Sequence, residues 1–352
     1  MAGSTCFGIG SAYAGRRTVR GALDERTLEC LDVLGRLMKA QGKLTEAETL
    51  FRKCLADRRT AFGAKHNVTL SSMGSLALLL QAQGSLVEAE PLMREVLETR
   101  RAALGPKHPE TLIPMSNLAN LLADQGNFEE AEALFREELD CGLATLGPQH
   151  QGTLTSMNNL GIFLKEQGKL GEAEPLLRNA LEAMRAILGP LHPFTLNSMN
   201  SFGLLQVDQG KLGEAEPLFR ETLEGMRSIL GSQHPSTLNT MNNYALLLQA
   251  QGKLSEAELL YRETLTVQRA TLGPQHPSTL LSAYNLGRVL EKLGKLGEAE
   301  ALLREALAGF CGLLGRAHPK TCTALTATEG LLIAQGKARE ARELKAQYGG
   351  GK

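Results

Sequence analysis

HQGTLTSMNNLGIFLKEQGKLGEAEPLLRNALEAMRAILGPL, residues 150–191, decides the fold, because its pattern returns along the chain every 42 residues. A period of this length indicates that one supersecondary unit has been copied many times. We therefore predict a repeat array and not a set of unrelated domains. The period is marked by all seven histidines: His66, His108, His150, His192, His234, His276 and His318.

Each copy predicts two helices, which we call helix A and helix B in chain order. In the quoted copy, apolar residues fall three and four apart over 153–167 and again over 171–188, so they share one face of each helix. Gly168 separates the two runs, and Gly189-Pro190 follows the second. Both sites predict the end of a helix, because glycine can close a helix and a following proline cannot continue it. The prediction is an all-α chain of about eight helix-turn-helix hairpins over residues 24–347.

The two ends of the chain lack this pattern. Residues 1–23 contain Arg16, Arg17 and Arg20, no acidic residue, and many Gly, Ser and Ala residues. This composition predicts a disordered N-terminal arm, with a targeting peptide as the alternative. Residues 348–352 are predicted to form a flexible tail.

The composition argues against several classes of partner. Lys+Arg and Asp+Glu number 38 each, without a basic block, whereas nucleic acids and anionic membranes require a positively charged surface. No apolar run approaches the roughly 18 residues of a membrane span. We therefore expect neither nucleic acid nor a membrane as partner. The six cysteines form no C-x-x-C pair, which is typical of a reducing compartment and predicts free, mostly buried thiols in a cytoplasmic protein.

The repeated polar residues predict structural roles. Histidines on separate hairpins lie about 10 Å apart, whereas imidazoles that share zinc lie about 2.0–2.1 Å from the metal. We expect the histidines to cap or pack at the start of helix A. The E-A-E pair of Glu172 and Glu174 lies in the first turn of helix B, where Arg178 can pair with Glu174 across one turn. No catalytic residue, cofactor site or metal site is predicted.

The quoted copy resembles the tetratricopeptide repeat, whose pattern is matched in order by Leu160-Gly161, Leu164, Gly168, Ala173 and Leu177. The motifs L-G-P-x-H-P-x-T-L, N-N-L-A-x-L-L-x-x-Q-G-K and E-A-E-P-L-x-R-E-x-L make this 42-residue form similar to the cargo-binding region of kinesin light chain. Nephrocystin-type ciliary proteins and the sensor regions of some signalling ATPases contain related arrays. The resemblance covers about residues 24–345. It implies a right-handed superhelical solenoid whose A helices line a concave groove.

A column of asparagines on helix A is the main candidate site. Asparagine has modest helix propensity, so local stability does not explain its recurrence. The resemblance places the column in the groove, where a carboxamide could donate to and accept from an extended peptide. Alternatively, the carboxamides bond the neighbouring repeat and set the superhelical twist. The column comprises Asn117, Asn158, Asn159, Asn200, Asn242, Asn243 and Asn285. A cluster of Tyr284, Arg288 and Lys292 is the candidate specificity pocket.

These observations predict a non-catalytic scaffold that binds a protein or peptide segment on the concave face. The resemblance implies a kinesin light chain-like cargo adaptor in the cytoplasm, associated with the cytoskeleton or the cilium, and it is the sole reason to name kinesin motor machinery as a partner. Two alternatives remain: the sensor array of a signalling ATPase without its nucleotide-binding domain, and an enzyme. The chain contains no P-loop of the form G-x-x-x-x-G-K-[ST], so the ATPase domain itself is not expected here.

Overall fold

The computed structural model describes residue 21 and residues 23–349. All regular structure in this part of the chain is helical, which confirms the all-α prediction. The predicted N-terminal arm and most of the predicted tail lie outside the described residues, although the last helix runs to Tyr348.

The helices alternate as A and B along the chain, and a short 3-10 turn over Pro109–Thr111 precedes the third helix A. The A helices are α1 (Glu25–Ala40), α3 (Asn67–Ala82), α5 (Leu112–Asp124), α7 (Gln151–Glu166), α9 (Pro193–Asp208), α11 (Pro235–Ala250), α13 (Pro277–Lys292) and α15 (Pro319–Ala334). The B helices are α2 (Leu44–Phe62), α4 (Leu86–Leu104), α6 (Phe128–Thr145), α8 (Leu170–Leu188), α10 (Leu212–Leu230), α12 (Leu254–Thr271), α14 (Leu296–Leu314) and α16 (Ala338–Tyr348). The described residues therefore contain the eight hairpins that the period predicts.

The chain divides into two compact units, residues 1–156 and residues 157–352, and the division falls inside α7. Both units are built in the same way: α1 packs on α2 and α2 on α3 in the first unit, and α9 packs on α10 and α10 on α11 in the second. Successive A helices also approach one another within a unit, as α3 does with α5 and α9 with α11. None of the described helices is both long and apolar enough to cross a membrane.

Glycine closes each helix A, as predicted. Gly168 has a φ of 74°, a left-handed conformation that costs glycine nothing because it has no Cβ. Its N–H donates to the carbonyl of Lys165, and the N–H of Lys169 donates to that of Leu164. These bonds satisfy the last carbonyls of helix A and turn the chain into helix B.

The histidine column caps the start of each helix A or of its 3-10 turn, which confirms its predicted structural role. In every copy the Nδ1 atom accepts a hydrogen bond from the backbone N–H two residues later, at 3.0–3.4 Å. The first hairpin has Asp24 at this position, and its carboxylate caps α1 by accepting from the N–H of Thr27. A capping side chain satisfies a backbone donor that has no partner within the helix.

Small residues on helix A face large residues on helix B. A Cβ built on Gly161 would lie 2.6 Å from Cγ of Leu177, and one on Gly203 would lie 3.0 Å from the ring of Phe219. The alanines of helix B, such as Ala173, are fully buried. Methionines that recur every 42 residues contribute to the same packing: Met73, Met115, Met199 and Met241 are fully buried, and Met157 is half-buried.

The acidic residues of helix B connect neighbouring hairpins as well as neighbouring turns. The predicted pair of Glu174 and Arg178 is present. Glu174 also accepts hydrogen bonds from Gln209 and Lys211 of the next hairpin, at 2.8 and 3.3 Å. The bonds from Gln209 and Arg178 lower the pKa of Glu174 to about 2. Arg185 pairs with Glu221 of the next helix B at 2.8 Å. Exposed pairs of this kind contribute little individually, so we regard the ladder as a determinant of register.

Candidate functional site

The asparagine column lies where one helix A meets the next. Asn242 bonds to Ser282, which lies 40 residues later on the next helix A, and we call the two residues at these positions of any two successive A helices a junction pair. The junction pairs are Asp32/Ser72, Gly74/Pro114, Ser116/Ser156, Asn158/Ser198, Asn200/Thr240, Asn242/Ser282 and Tyr284/Ala324.

Asn242 bonds to the neighbouring hairpin. Its Nδ2 atom donates to Oγ of Ser282 at 2.8 Å, and its Oδ1 atom lies 3.2 Å from the same hydroxyl. Both residues are buried. This geometry fits the alternative in which the carboxamide fixes one repeat against the next, and it leaves Asn242 out of contact with any groove ligand.

Asn200 and Asn243 are occupied with each other. Nδ2 of Asn243 on α11 donates to Oδ1 of Asn200 on α9 at 3.1 Å, and both side chains are half-buried. The pair therefore also links two successive A helices. One hydrogen bond does not use all the donors and acceptors of two carboxamides.

Asn158 and Asn159 are adjacent on α7, and both are half-buried. Oδ1 of Asn158 is buried without a hydrogen-bond partner among the described residues. Such an atom carries a desolvation penalty, which makes Asn158 a position where a donor from a ligand or a water would be stabilising.

Asn117 and Asn285, like Asn158, make no side-chain hydrogen bond to a described residue, and both are half-buried. Tyr284, next to Asn285 on α13, is half-buried and packs against the apolar residues of two neighbouring hairpins. One and two turns further along α13, Arg288 pairs with Glu291 at 2.9 Å, and Lys292 is exposed. The predicted cluster thus shares one face of α13, but the cation of Arg288 is already neutralised.

A cavity of about 430 Å³ lies between α3, α4 and α5. Ser75 on α3 and Asn117 on α5 form part of its wall, and neither side chain has a hydrogen-bond partner among residues 23–349. Ile113, with 71% of its surface exposed, lies at the same place. The cavity therefore combines an apolar surface with polar groups that remain available for bonding.

Sequence reasoning found Asn117 but missed this cavity. The signal was present at the junction pair Gly74/Pro114, which lines it. Neither residue has a side-chain hydrogen-bonding group, whereas the pairs Ser116/Ser156, Asn158/Ser198, Asn200/Thr240 and Asn242/Ser282 carry such groups at both positions. Recognising that signal required knowing that the two positions meet.

No cluster of three or more histidine, cysteine, aspartate or glutamate side chains among the described residues could hold a metal ion. No disulfide joins the cysteines of the described residues, which are Cys30, Cys54, Cys141, Cys311 and Cys322. Cys54 and Cys141 are buried, and Cys322 is exposed.

Many solved structures resemble this chain. A Podosopora anserina protein described as a kinesin light chain with nearly identical TPR-like repeats is 27% identical, with 57% of this chain and 95% of that chain covered and a TM-score of 0.48. BtubC (BKLC) from P. vanneervenii is 19% identical, with 69% and 91% covered and a TM-score of 0.49. The apo form of RapI is 12% identical, with 80% and 97% covered and a TM-score of 0.56, a likeness of fold alone. No curated protein sequence matches the chain.

Family models described as tetratricopeptide repeat match most of the sequence. One matches residues 68–144, 114–173, 152–228, 207–270 and 236–312, and a second matches residues 27–67. These matches coincide with the helical hairpins, their glycine turns and their small-against-large packing. The chain therefore belongs to the tetratricopeptide repeat family.

Proposed function

We propose that the A helices bind an extended segment of a partner protein, and that the chain acts as a non-catalytic adaptor of the kinesin light chain-like type. The tetratricopeptide fold is typical of scaffolds for protein–protein interaction, and the A helices expose the polar side chains that recognition requires. The adaptor role rests on the motifs described above, and kinesin motor machinery is a partner by that resemblance alone. The same resemblance suggests a cytoplasmic location.

One observation carries this proposal: Ser75 and Asn117, on neighbouring A helices, present polar groups without partners in the wall of one open cavity. An extended peptide needs donors and acceptors for its main chain, because its backbone groups lose water on binding. A carboxamide supplies both, and a hydroxyl can act as either. This recognition does not depend on the charge of the ligand.

The asparagines divide between two roles in this proposal. Asn242 holds its neighbouring hairpin through Ser282, so it supports the surface without touching the ligand. Asn117 in the first unit, and Asn158 and Asn285 in the second, contact bound ligands, Asn158 through its unbonded oxygen. Asn159, Asn200 and Asn243 add contacts along the A helices, and Tyr284, Arg288 and Lys292 select a side chain at α13.

Affinity purification of partners with the full chain tests the proposal. We expect the double variant Ser75→Ala/Asn117→Ala to lose the partners that the wild-type chain retains, because both main-chain contacts are removed. Glu98→Ala is the matched control, since Glu98 is exposed on helix B of the same hairpin. Circular dichroism must show the same helix content in all three proteins. Capture of the same partners by the folded double variant would overturn the proposal.

A further inference from the structure

We infer that the cavity between α3, α4 and α5 is a specificity pocket that takes one large, uncharged apolar side chain of the bound segment. The inference rests on the proposed function and adds to it the chemical class of the ligand. Two residues create the pocket, Gly74 and Pro114, because they leave their junction without the polar bridge found in other copies.

The preceding junction, between α1 and α3, shows what normally occupies this place. There the junction pair is Asp32/Ser72, and both residues are buried. Arg58 of α2 lies between the helices, with 6% of its surface exposed. Its Nη1 atom donates to Oγ of Ser72 at 2.7 Å and to the carbonyl of Val68 at 3.1 Å. A charged side chain and its partners thus occupy this junction.

At the junction between α3 and α5 the same positions carry different residues. Arg100 is the copy of Arg58, but Pro114 replaces the serine hydroxyl that Arg58 uses. Arg100 instead pairs with Glu110, with Nη1 to Oε2 at 2.6 Å. On the other helix, Gly74 replaces the aspartate, and a Cβ built on it would have no atom within 4 Å. The space that is occupied in the first junction therefore stays open.

Two later junctions are bridged by other means. Between α5 and α7, the carboxyl of Glu138 inserts from α6. It accepts a hydrogen bond from the hydroxyl of Ser156 at 2.8 Å. Between α11 and α13, Asn242 reaches Ser282 directly. Of these four junctions, only the α3–α5 junction is open, and its pair is the one that contains neither a hydroxyl nor a carboxamide.

The lining of the pocket defines its occupant. Leu70, Leu78, Met93 and Val96 contribute apolar surface, and Ile113 extends it at the mouth. The charges of Arg100 and Glu110 neutralise each other. A charged side chain placed here would lose its hydration beside an ion pair that is already formed, whereas an apolar one would be removed from water against matching surface. Ser75 and Asn117 can then bond the main chain on either side of this residue.

Selection of peptides from a displayed random library on the full chain tests the inference. We expect the selected peptides to share a leucine, isoleucine, methionine or phenylalanine at one fixed position. The variant Gly74→Asn/Pro114→Ser installs the pair found at Asn242/Ser282, and the open space at Gly74 accommodates the new side chain. This variant should bind a selected peptide at least tenfold more weakly than the wild-type chain, as measured by fluorescence polarisation. Replacing the residue at the fixed position of the peptide by aspartate should weaken binding to the wild-type chain by at least the same factor.

The outcomes separate this inference from the proposed function. One outcome is that a selected peptide loses binding to the Ser75→Ala/Asn117→Ala variant and binds the Gly74→Asn/Pro114→Ser variant as it binds the wild-type chain. This result would overturn the inference of a specificity pocket and would support the proposed function. Selected peptides that prefer a charged residue at the fixed position would also overturn it. Failure to select any peptide whose affinity depends on either pair of residues would overturn both ideas. Thermal unfolding of each variant ensures that loss of binding is not loss of fold.

Discussion

The α3–α5 junction and the α11–α13 junction occupy the same place in the repeat, yet one is open and the other is closed. The first has Gly74 and Pro114, and a cavity of about 430 Å³ lies beside them. The second has Asn242 and Ser282, which bond to each other out of contact with water. The repeat thus keeps its glycine turns and its core, while the residues of the junction pair differ between the open and the closed junction.

The α5–α7 junction provides a third state, in which a buried acid forms the bridge. Glu138 has 3% of its surface exposed, and its Oε2 atom has no partner among the described residues. Burial raises the pKa of this carboxyl to about 7, although hydrogen bonds from Ser156 and Ser116 act in the opposite direction. The carboxyl at this junction therefore titrates near neutral pH, whereas the carboxamide of Asn242 does not titrate.

The largest effect is expected for Glu138→Gln at alkaline pH. The raised pKa means that the folded state binds more protons than the unfolded state between the ordinary carboxyl pKa of 4.5 and about 7. The free energy of unfolding therefore falls as pH rises through that window. A shift of this size corresponds to about 3 kcal/mol. Denaturant unfolding at pH 5 and pH 8 should show a loss of stability in the wild-type protein that the glutamine variant lacks.

Glu98→Gln, which changes an exposed carboxyl on α4, is the control and should retain the wild-type pH dependence. If Glu138→Gln loses as much stability between pH 5 and pH 8 as the wild-type protein does, then the buried carboxyl of Glu138 is not the source of the pH dependence.

A smaller effect is expected for Asn242→Ala, which removes the bridge of the closed junction. The hydroxyl of Ser282 would remain buried without its partner, at a cost of about 1–3 kcal/mol. Asn285→Ala is the matched control on α13, because its carboxamide makes no hydrogen bond to a described residue, and it should change stability by about 0.5 kcal/mol or less. Equal losses in the two variants would show that the hydrogen bond does not distinguish closed from open junctions.

The smallest effect is expected for Gly74→Ala at the open junction. Alanine is favoured over glycine inside a helix by about 0.5–1 kcal/mol, and the new methyl group would point into free space. The variant should therefore have a higher melting temperature. Gly161→Ala should show no such gain, because its Cβ would meet Leu177. A loss of stability in Gly74→Ala would mean that the cavity beside this residue is already filled.

Local features of the fold were predictable from the printed residues. The capping role of the histidines, the glycine turn at Gly168 and the pairing of Glu174 with Arg178 all involve atoms within a few positions of each other. The bonds from Gln209 and Lys211 to Glu174 were not predicted, since they join residues 35 and 37 positions apart. The asparagine column was recognised as a set, but its division into bonded and unbonded members was not.

The sequence by itself determined the period, the helix boundaries, the caps and the family, because these depend on backbone preferences and on the alternation of small and large residues within one hairpin. Only the tertiary structure decided which junctions are closed. In the sequence, Gly74 and Pro114 are two residues that differ from those at the equivalent positions of other repeats. The stacking of the hairpins places them at one junction. They leave the junction open because neither side chain carries a group that could form a hydrogen bond to the other helix. The sequence does not show this, because the two positions are 40 residues apart and only the packing of the helices places them side by side.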